Sequence, residues 1–220
     1  MMIDWKAVDT VLLDMDGTLL DLHYDNYFWH HYLPEQWGRR HGLDADSARE
    51  TLLPRFRRMA GTLSWYCLDY WTGELGMDIL GLKNDVEHLI RTRPHAVEFL
   101  ARLRELGKRA VLVTNAHEKL LDIKLRRTGI GDYFDAVVSA HRLGHPKEEA
   151  AFWESLHAGH PFERERTLLI DDNQEVLRAA ADFGIRHLLT IAQPDSQRPA
   201  RGPLDFVAID SFETLLRAGE

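Results

Sequence analysis

Asp14 and Asp16 are separated by a single residue, and Gly17 and Thr18 follow them directly. Two carboxylates held that close repel, so the pair implies a bound cation or a shared proton. Much farther along the chain come Thr114 and Asn115, then Lys147 behind Pro146, then Asp171 and Asp172. These residue types supply a nucleophile, a proton carrier, phosphate donors and oxygen ligands for a hard divalent cation, the parts needed to cleave a phosphate ester. Any one cluster alone is ordinary turn chemistry or a solvated lysine. Their joint arrival at successive strand ends is what points to a site.

The roles follow from the chemistry. Asp14 is the expected nucleophile, attacking phosphorus to give an aspartyl-phosphate. Asp16 is the expected general acid on the leaving alkoxide and then the general base on water, which requires a raised pKa. Mg2+ keeps several of its waters and takes few carboxylates, so Asp172 is expected to coordinate it directly. Asp171 is expected either to be a ligand or to orient metal-bound water. Thr114 and Asn115 offer a hydroxyl and backbone donors to the phosphoryl oxygens, and Lys147 places an ammonium against both the phosphate and Asp14.

Such distant residues meet only if the elements around them converge. Residues 8–13, 109–114, 134–139, 167–171, 187–192 and, more weakly, 205–209 are short apolar runs that read as strands covered on both faces, the pattern of a parallel sheet. Helices are expected between them, the first opened by Pro94 and stopped by Gly107, the second over 117–128 before Gly129, the third over 148–157 and the fourth over 174–183 between Asn173 and Gly184. Ser211 is expected to cap a last short helix through Leu216. The expected fold class is therefore α/β, a Rossmann-like parallel sheet with right-handed crossovers, in which loops at the carboxyl ends of the strands gather at one point.

Residues 19–93 break the rhythm. They are far too many for one crossover, and they read as helices over 26–41, 46–60, 63–75 and 84–91, with Pro34 limiting the first. The expected organisation is a core of residues 1–18 and 94–220 with an all-helical cap, 19–93, inserted above the reactive loops where it can exclude water.

Composition narrows the partners. With 35 acidic and 27 basic residues among 220, the formal charge of -8 argues against a nucleic acid polymer or an anionic membrane surface. A small phosphorylated metabolite remains compatible, because a metal ion inverts the local field. Cys67 is the only cysteine, so no internal disulfide and no cysteine-based zinc site is expected. The opening residues carry neither a basic leader nor a long apolar stretch, and no run approaches the roughly 20 residues of a bilayer span. Cytoplasm is the default expectation. The twelve histidines show no HExxH-like spacing, and the oligomeric state is left open.

The motifs DMDGT at 14–18, VTN at 113–115, Lys147 and IDDN at 170–173 resemble those of the haloacid dehalogenase-like superfamily. That resemblance implies a sheet in the order 3-2-1-4-5, extended by the strand at 205–209. It also implies Asp14, the Asp16 backbone carbonyl and Asp172 around Mg2+, and a helical cap between the first and second motifs. The stretches LLDMDGTLLDLHYDNYFW at 12–29, LSWYCLDYW at 63–71, TNAH at 114–117 and RTLLIDDN at 166–173 are similar, more narrowly, to bacterial GMP/IMP 5'-nucleotidases. This implies purine nucleoside monophosphates as substrates. Thr18, His23, Tyr24 and Asn26, with Asp25 among them at the entrance near the nucleophile loop, and Trp65 and Tyr66, in the aromatic block, are the candidate substrate contacts; stacking on such rings can hold a purine.

Rival functions share parts of this set. A sugar-phosphate phosphatase or mutase uses the same core chemistry. A dehalogenase needs neither Asp16 nor a metal, and a phosphonate hydrolase would extend a lysine from the cap, where Lys83 is the only one. A receiver-like phosphate-binding protein also assembles Asp, Thr and Lys, but with its acidic pair near the first strand rather than after the lysine.

Overall fold

The computed structural model describes residues 3–216; the expected core segments therefore include residues 1–2 and 217–220, which lie outside the described residues. Six strands, β1 (Thr10–Leu13), β2 (Arg109–Thr114), β3 (Ala136–Ser139), β4 (Thr167–Ile170), β5 (His187–Ile191) and β6 (Ala208–Ile209), form one parallel sheet in the order β3-β2-β1-β4-β5-β6. The resemblance implied this order, sixth strand included. β1 and β4 are buried along their whole length, as strands between helical layers must be.

Six α-helices lie within residues 19–93: α1 (His23–Tyr27), α2 (Leu33–His41), α3 (Ala45–Met59), α4 (Leu63–Tyr66), α5 (Leu68–Leu75) and α6 (Ile79–Asp85). All of them come from the long insertion. Its two ends are laced together: Asp21 N–H donates to Arg91 O at 2.9 Å, Arg93 N–H to Leu19 O at 2.9 Å, and Leu20 and Thr92 form an antiparallel bridge. The insertion thus leaves and rejoins the core through one narrow neck.

Local sequence modifies the expected helices in three places. The chain passes from α1 to α2 through a π-helical turn, Phe28–Tyr32, so Pro34 begins a new α-helical stretch instead of ending one. The expected 63–75 helix is split at Cys67, whose extended backbone (ψ 112°) ends α4 and whose Sγ accepts the Tyr70 N–H at the start of α5. The last expected segment, 84–91, is instead α6 followed by a single 3-10 turn, Glu87–Leu89.

The remaining helices are α7 (Ala96–Glu105), α8 (Glu118–Thr128), α9 (Ala140–Leu143), α10 (Ala150–Gly159), α11 (Gln174–Phe183) and α12 (Glu213–Leu216). Pro94 does not occupy the first turn of α7; His95 is the cap, held at φ 62°. Asn173 caps α11 through its side chain, and Glu213 N–H donates to Ser211 Oγ before α12. One apolar cluster joins the face of the sheet under α7 and α8 to the inserted helices, while a second, around Phe152, Trp153, Val176 and Leu177, packs the opposite face. No helix among the described residues is long and apolar enough to cross a membrane.

Candidate active site

β1, β2 and β4 end in polar residues beneath the inserted helices, and those ends surround a cavity of about 550 Å³, within the usual range for small-molecule sites. Asp14 continues the β1 ladder by donating its N–H to Ile170 O at 3.0 Å, so its position is fixed by the sheet. Lys147 crosses the floor: its Nζ donates to Asp14 Oδ1 and Asp171 Oδ2, both at 2.6 Å, and to Val113 O at 3.2 Å. All four groups are almost wholly buried. The lysine is itself pinned, because its N–H donates to Asn115 Oδ1 at 2.9 Å and its carbonyl accepts the Trp153 Nε1–H at 2.8 Å.

Asp14, Asp171 and Asp172 each present a carboxylate oxygen within 4.8 Å of the others. Burial raises Asp14 to about 6, with Lys147 opposing, and raises Asp171 to about 6 against the same lysine. Asp172 is raised to about 7, first by burial and then by the Asp14 charge; Arg201 Nη1, 3.1 Å from Asp172 Oδ2, pulls the other way. Lys147 is held above its ordinary range by the two aspartates despite burial. Three crowded carboxylates facing one buried ammonium leave an excess of negative charge, the donor set a hard divalent cation satisfies.

Gly17 lets the acidic loop close on this cluster. Its φ is +88°, and a Cβ there would lie 2.6 Å from Asp172 Cγ, so both conformation and contact require glycine.

The carboxylate of Asp16 turns away from the triad although it lines the same cavity. Lys124 Nζ donates to Asp16 Oδ1 and to Asp25 Oδ2, each at 2.7 Å, and Lys83 Nζ donates to Asp25 Oδ1 at 2.6 Å. Burial raises Asp16 to about 6, with Lys124 opposing. For Asp25 burial also opposes ionisation, but Lys124 and Lys83 together hold it at about 2. Lys83 lies 4.3 Å from the centroid of Phe28 and 4.7 Å from that of Tyr24. The one lysine of the insertion is therefore a fixed structural cation with its charge already matched.

Asn26, Trp65, Tyr66, Thr114 and Asn115 also line the cavity, as sequence reading expected. Thr114 Oγ1 accepts the Ala116 N–H at 3.0 Å, and Asn26 Nδ2 donates to the buried Asp195 at 2.7 Å. Thr18, His23 and Tyr24 do not line it. Thr18 is fully buried, Tyr24 donates its hydroxyl to Lys83 O at 3.1 Å, and His23 lies 3.6 Å from Asp195. The aromatic block divides: Trp71 is core, whereas Trp65 and Tyr66 reach the cavity wall beside Trp29.

Sequence reading placed Asp25 at the entrance, and it lines the cavity, but missed its pairing with Lys124 and Lys83 and missed Lys124, Glu148 and Arg201 altogether. Glu148 links three groups, accepting from Tyr66 Oη at 2.7 Å, Asn115 Nδ2 at 2.9 Å and Asn173 Nδ2 at 3.1 Å, and so joins an inserted helix to two strand ends.

Residues 8–184 match the family model described as haloacid dehalogenase-like hydrolase. The chain belongs to that family. It is 44% identical over 194 residues to the GMP/IMP nucleotidase YrfG of Escherichia coli (strain K12), covering 88% of this chain and 87% of the relative. The crystal structure of a HAD phosphatase from Thermococcus onnurineus superposes with a TM-score of 0.78 at 21% identity, covering 96% of this chain and 99% of that one. An L-2-haloacid dehalogenase from Xanthobacter autotrophicus superposes at 0.63 with 17% identity, covering 96% and 99%. Both structural likenesses speak to the family's fold.

Proposed function

We propose that the protein is a Mg2+-dependent phosphomonoesterase acting on purine nucleoside monophosphates, GMP and IMP, through an aspartyl-phosphate. The observation that carries this reading is the buried Asp14–Lys147–Asp171–Asp172 cluster on the floor of the cavity beneath the inserted helices, in a chain 44% identical to a GMP/IMP nucleotidase. Asp14 and Asp172 would hold the ion, with the Asp16 backbone carbonyl beside them, while Asp171 is committed to Lys147 and to the Asn173 N–H at 2.9 Å. When bound, Mg2+ supplies positive charge that lets an anionic carboxylate approach an anionic phosphate and polarises the phosphoryl oxygens.

Asp14 attacks phosphorus while the ester P–O bond breaks. Lys147 keeps the nucleophile ionised and aimed, and with Thr114 and Asn115 it offers donors to the equatorial oxygens as charge spreads over them. Asp16, raised to about 6, would leave Lys124 Nζ, with which it is paired at 2.7 Å, and turn toward the leaving 5'-oxygen to give its proton, then accept one from the water that attacks the phosphoryl group, restoring Asp14. Residues 19–93 act as the cap, with 1–18 and 94–220 as the core; Trp65 and Tyr66 present aromatic faces to sugar and base, and the cap excludes bulk water. A carbonyl at purine position 6 is selected if a buried donor faces it, since an amino group there would leave that donor unpaired.

A screen of the purified protein against purine and pyrimidine monophosphates and sugar phosphates, with and without Mg2+, tests the proposal. The highest kcat/KM is expected on GMP and IMP, with turnover lost on chelation. Equal rates on GMP and simple sugar phosphates would remove the nucleotide assignment in favour of a general metabolite phosphatase. Stoichiometric phosphate binding without turnover would remove the enzyme.

A further inference from the structure

The only cysteine meets two histidines at a place the phosphate chemistry does not use. Cys67 lies between α4 and α5 in the insertion, His117 caps α8 two residues past Asn115, and His141 sits in α9 just after β3. The Cys67 sulfur and one ring nitrogen from each histidine lie within 4.8 Å of one another. The two imidazoles meet edge to face with centroids 4.9 Å apart. His141 Nε2 is buried and has no hydrogen-bond partner. A buried polar nitrogen left unsatisfied is costly and calls for an explanation.

We propose that Cys67, His117 and His141 form a second metal site, selective for a borderline-soft divalent transition ion of the Zn2+ class, that ties the cap to the core. A thiolate and two imidazoles are the ligand types of tetrahedral zinc sites, whereas Mg2+ prefers oxygen, so the two sites sort their ions by chemistry. An ion about 2.0–2.3 Å from each ligand holds ligand atoms roughly 3.5 Å apart. Binding displaces the Cys67 S–H proton into solvent as the metal–sulfur bond forms.

The surroundings support the ligands. His117 Nδ1 accepts the Lys119 N–H at only 3.4 Å, so ligation through Nδ1 would replace that long cap contact and leave Nε2 facing Asp69 Oδ2 at 3.6 Å, itself held by Lys119 Nζ at 2.6 Å, the carboxylate partner that orients metal-binding histidines. The Tyr70 N–H, 3.4 Å from Cys67 Sγ, faces the position where thiolate charge would reside. His117 also lines the substrate cavity, so an occupied site stands in its wall. Because Cys67 belongs to the insertion and both histidines follow core strands, the bound ion resists separation of the two.

Equilibrium dialysis of the full chain against Zn2+ in excess Mg2+ tests this, with Co2+ as a spectroscopic probe. Wild type is expected to bind one Zn2+, with affinity reduced at least about tenfold in Cys67→Ser and His141→Ala. The Co2+ form is expected to show thiolate-to-metal charge-transfer absorption that Cys67→Ser lacks. Amide exchange in α5 is expected to slow on Zn2+ binding in wild type but not in Cys67→Ser. Equal Zn2+ binding by wild type and both variants would place the ion at the aspartates and overturn the site. A wild-type Co2+ spectrum without sulfur ligation would do the same, whether or not the variants fold. Unchanged α5 exchange in zinc-loaded wild type would overturn the tie between cap and core.

Discussion

Two buried charge clusters flank the exit of β1, and they are built to opposite ends. Asp14, Asp171 and Asp172 share one buried lysine, with Arg201 at the rim, and burial raises all three carboxyls. Asp16 and Asp25 instead share two buried lysines, Lys124 and Lys83, and the charges balance. The first cluster is incomplete without a cation; the second needs nothing added. Two residues of backbone, from Asp14 to Asp16, separate a site poised to bind an ion from a seam that fastens the inserted helices to α8.

The largest expected effect comes from Asp14→Asn, which keeps the shape of the incomplete cluster and removes its nucleophile. kcat is expected to fall by at least about 10^4, the scale on which covalent nucleophiles are lost elsewhere. Single-turnover assays at saturating Mg2+ measure this, and retained turnover would dissolve the distinction between the clusters.

Next come the two lysines, replaced by methionine of similar length. Removing one partner of a buried ion pair costs about 3–5 kcal/mol, so Lys147→Met and Lys124→Met should both lower urea midpoints in metal-free protein. Mg2+ is expected to restore part of the loss in Lys147→Met, because it neutralises the abandoned aspartates. For Lys124→Met it should add no more than it adds to wild type, because the orphaned Asp16 and Asp25 lie outside the triad. Equal rescue of both would mean that the clusters are one.

The pH dependence separates the triad from Asp25 by sign, whereas Asp16, raised to about 6 by burial, titrates in the direction of the triad. Asp14 and Asp171 titrate at about 6 and Asp172 at about 7 in the fold, against about 3.9 for an unperturbed aspartate. The folded protein therefore binds more protons than the unfolded chain between those limits. Stability from these groups is full below pH ~4 and is lost as pH rises through 6 to 7. Asp25, at about 2, behaves oppositely: its contribution is present above ~4 and is lost as pH falls through 2. Unfolding in urea from pH 5 to 8 should show declining stability without Mg2+ and a flatter profile with it; parallel profiles would refute the cation-deficient reading.

The first cluster was legible because its three aspartates end β1 and β4, and a parallel sheet gathers strand ends by topology; Lys147, expected at a strand end, instead reaches in from beyond α9, past β3. The second was not, since Lys83, Lys124 and Asp25 come from three helices with no motif joining them. A signal was nonetheless present. Lys124 falls at i+4 from Leu120 and i+3 from Leu121, inside the buried stripe of α8, and Lys83 falls at i+4 from Ile79 in α6. A lysine within an apolar stripe announces a buried partner, although not its identity. The break at Cys67 escaped for a different reason: neither glycine nor proline marks it, and the side chain that ends one helix also caps the next. His141 and Cys67, 74 positions apart, could be paired only by the fold.

The smallest expected effect tests how tightly the cluster is closed. In Gly17→Ala the new methyl must coexist with φ +88° and with a carboxylate whose Cγ would be 2.6 Å away. The left-handed conformation costs an alanine about 1–2 kcal/mol, which thermal unfolding can resolve. The contact is relieved differently, since Asp172 is a side chain held at the rim by Arg201 at 3.1 Å and can swing outward. That swing withdraws a carboxylate from the triad while leaving the Asp16–Lys124–Asp25 seam intact. The Mg2+ concentration for half-maximal activity should therefore rise by more than the stability loss implies, whereas a variant that loses stability alone would show that Asp172 does not hold the ion.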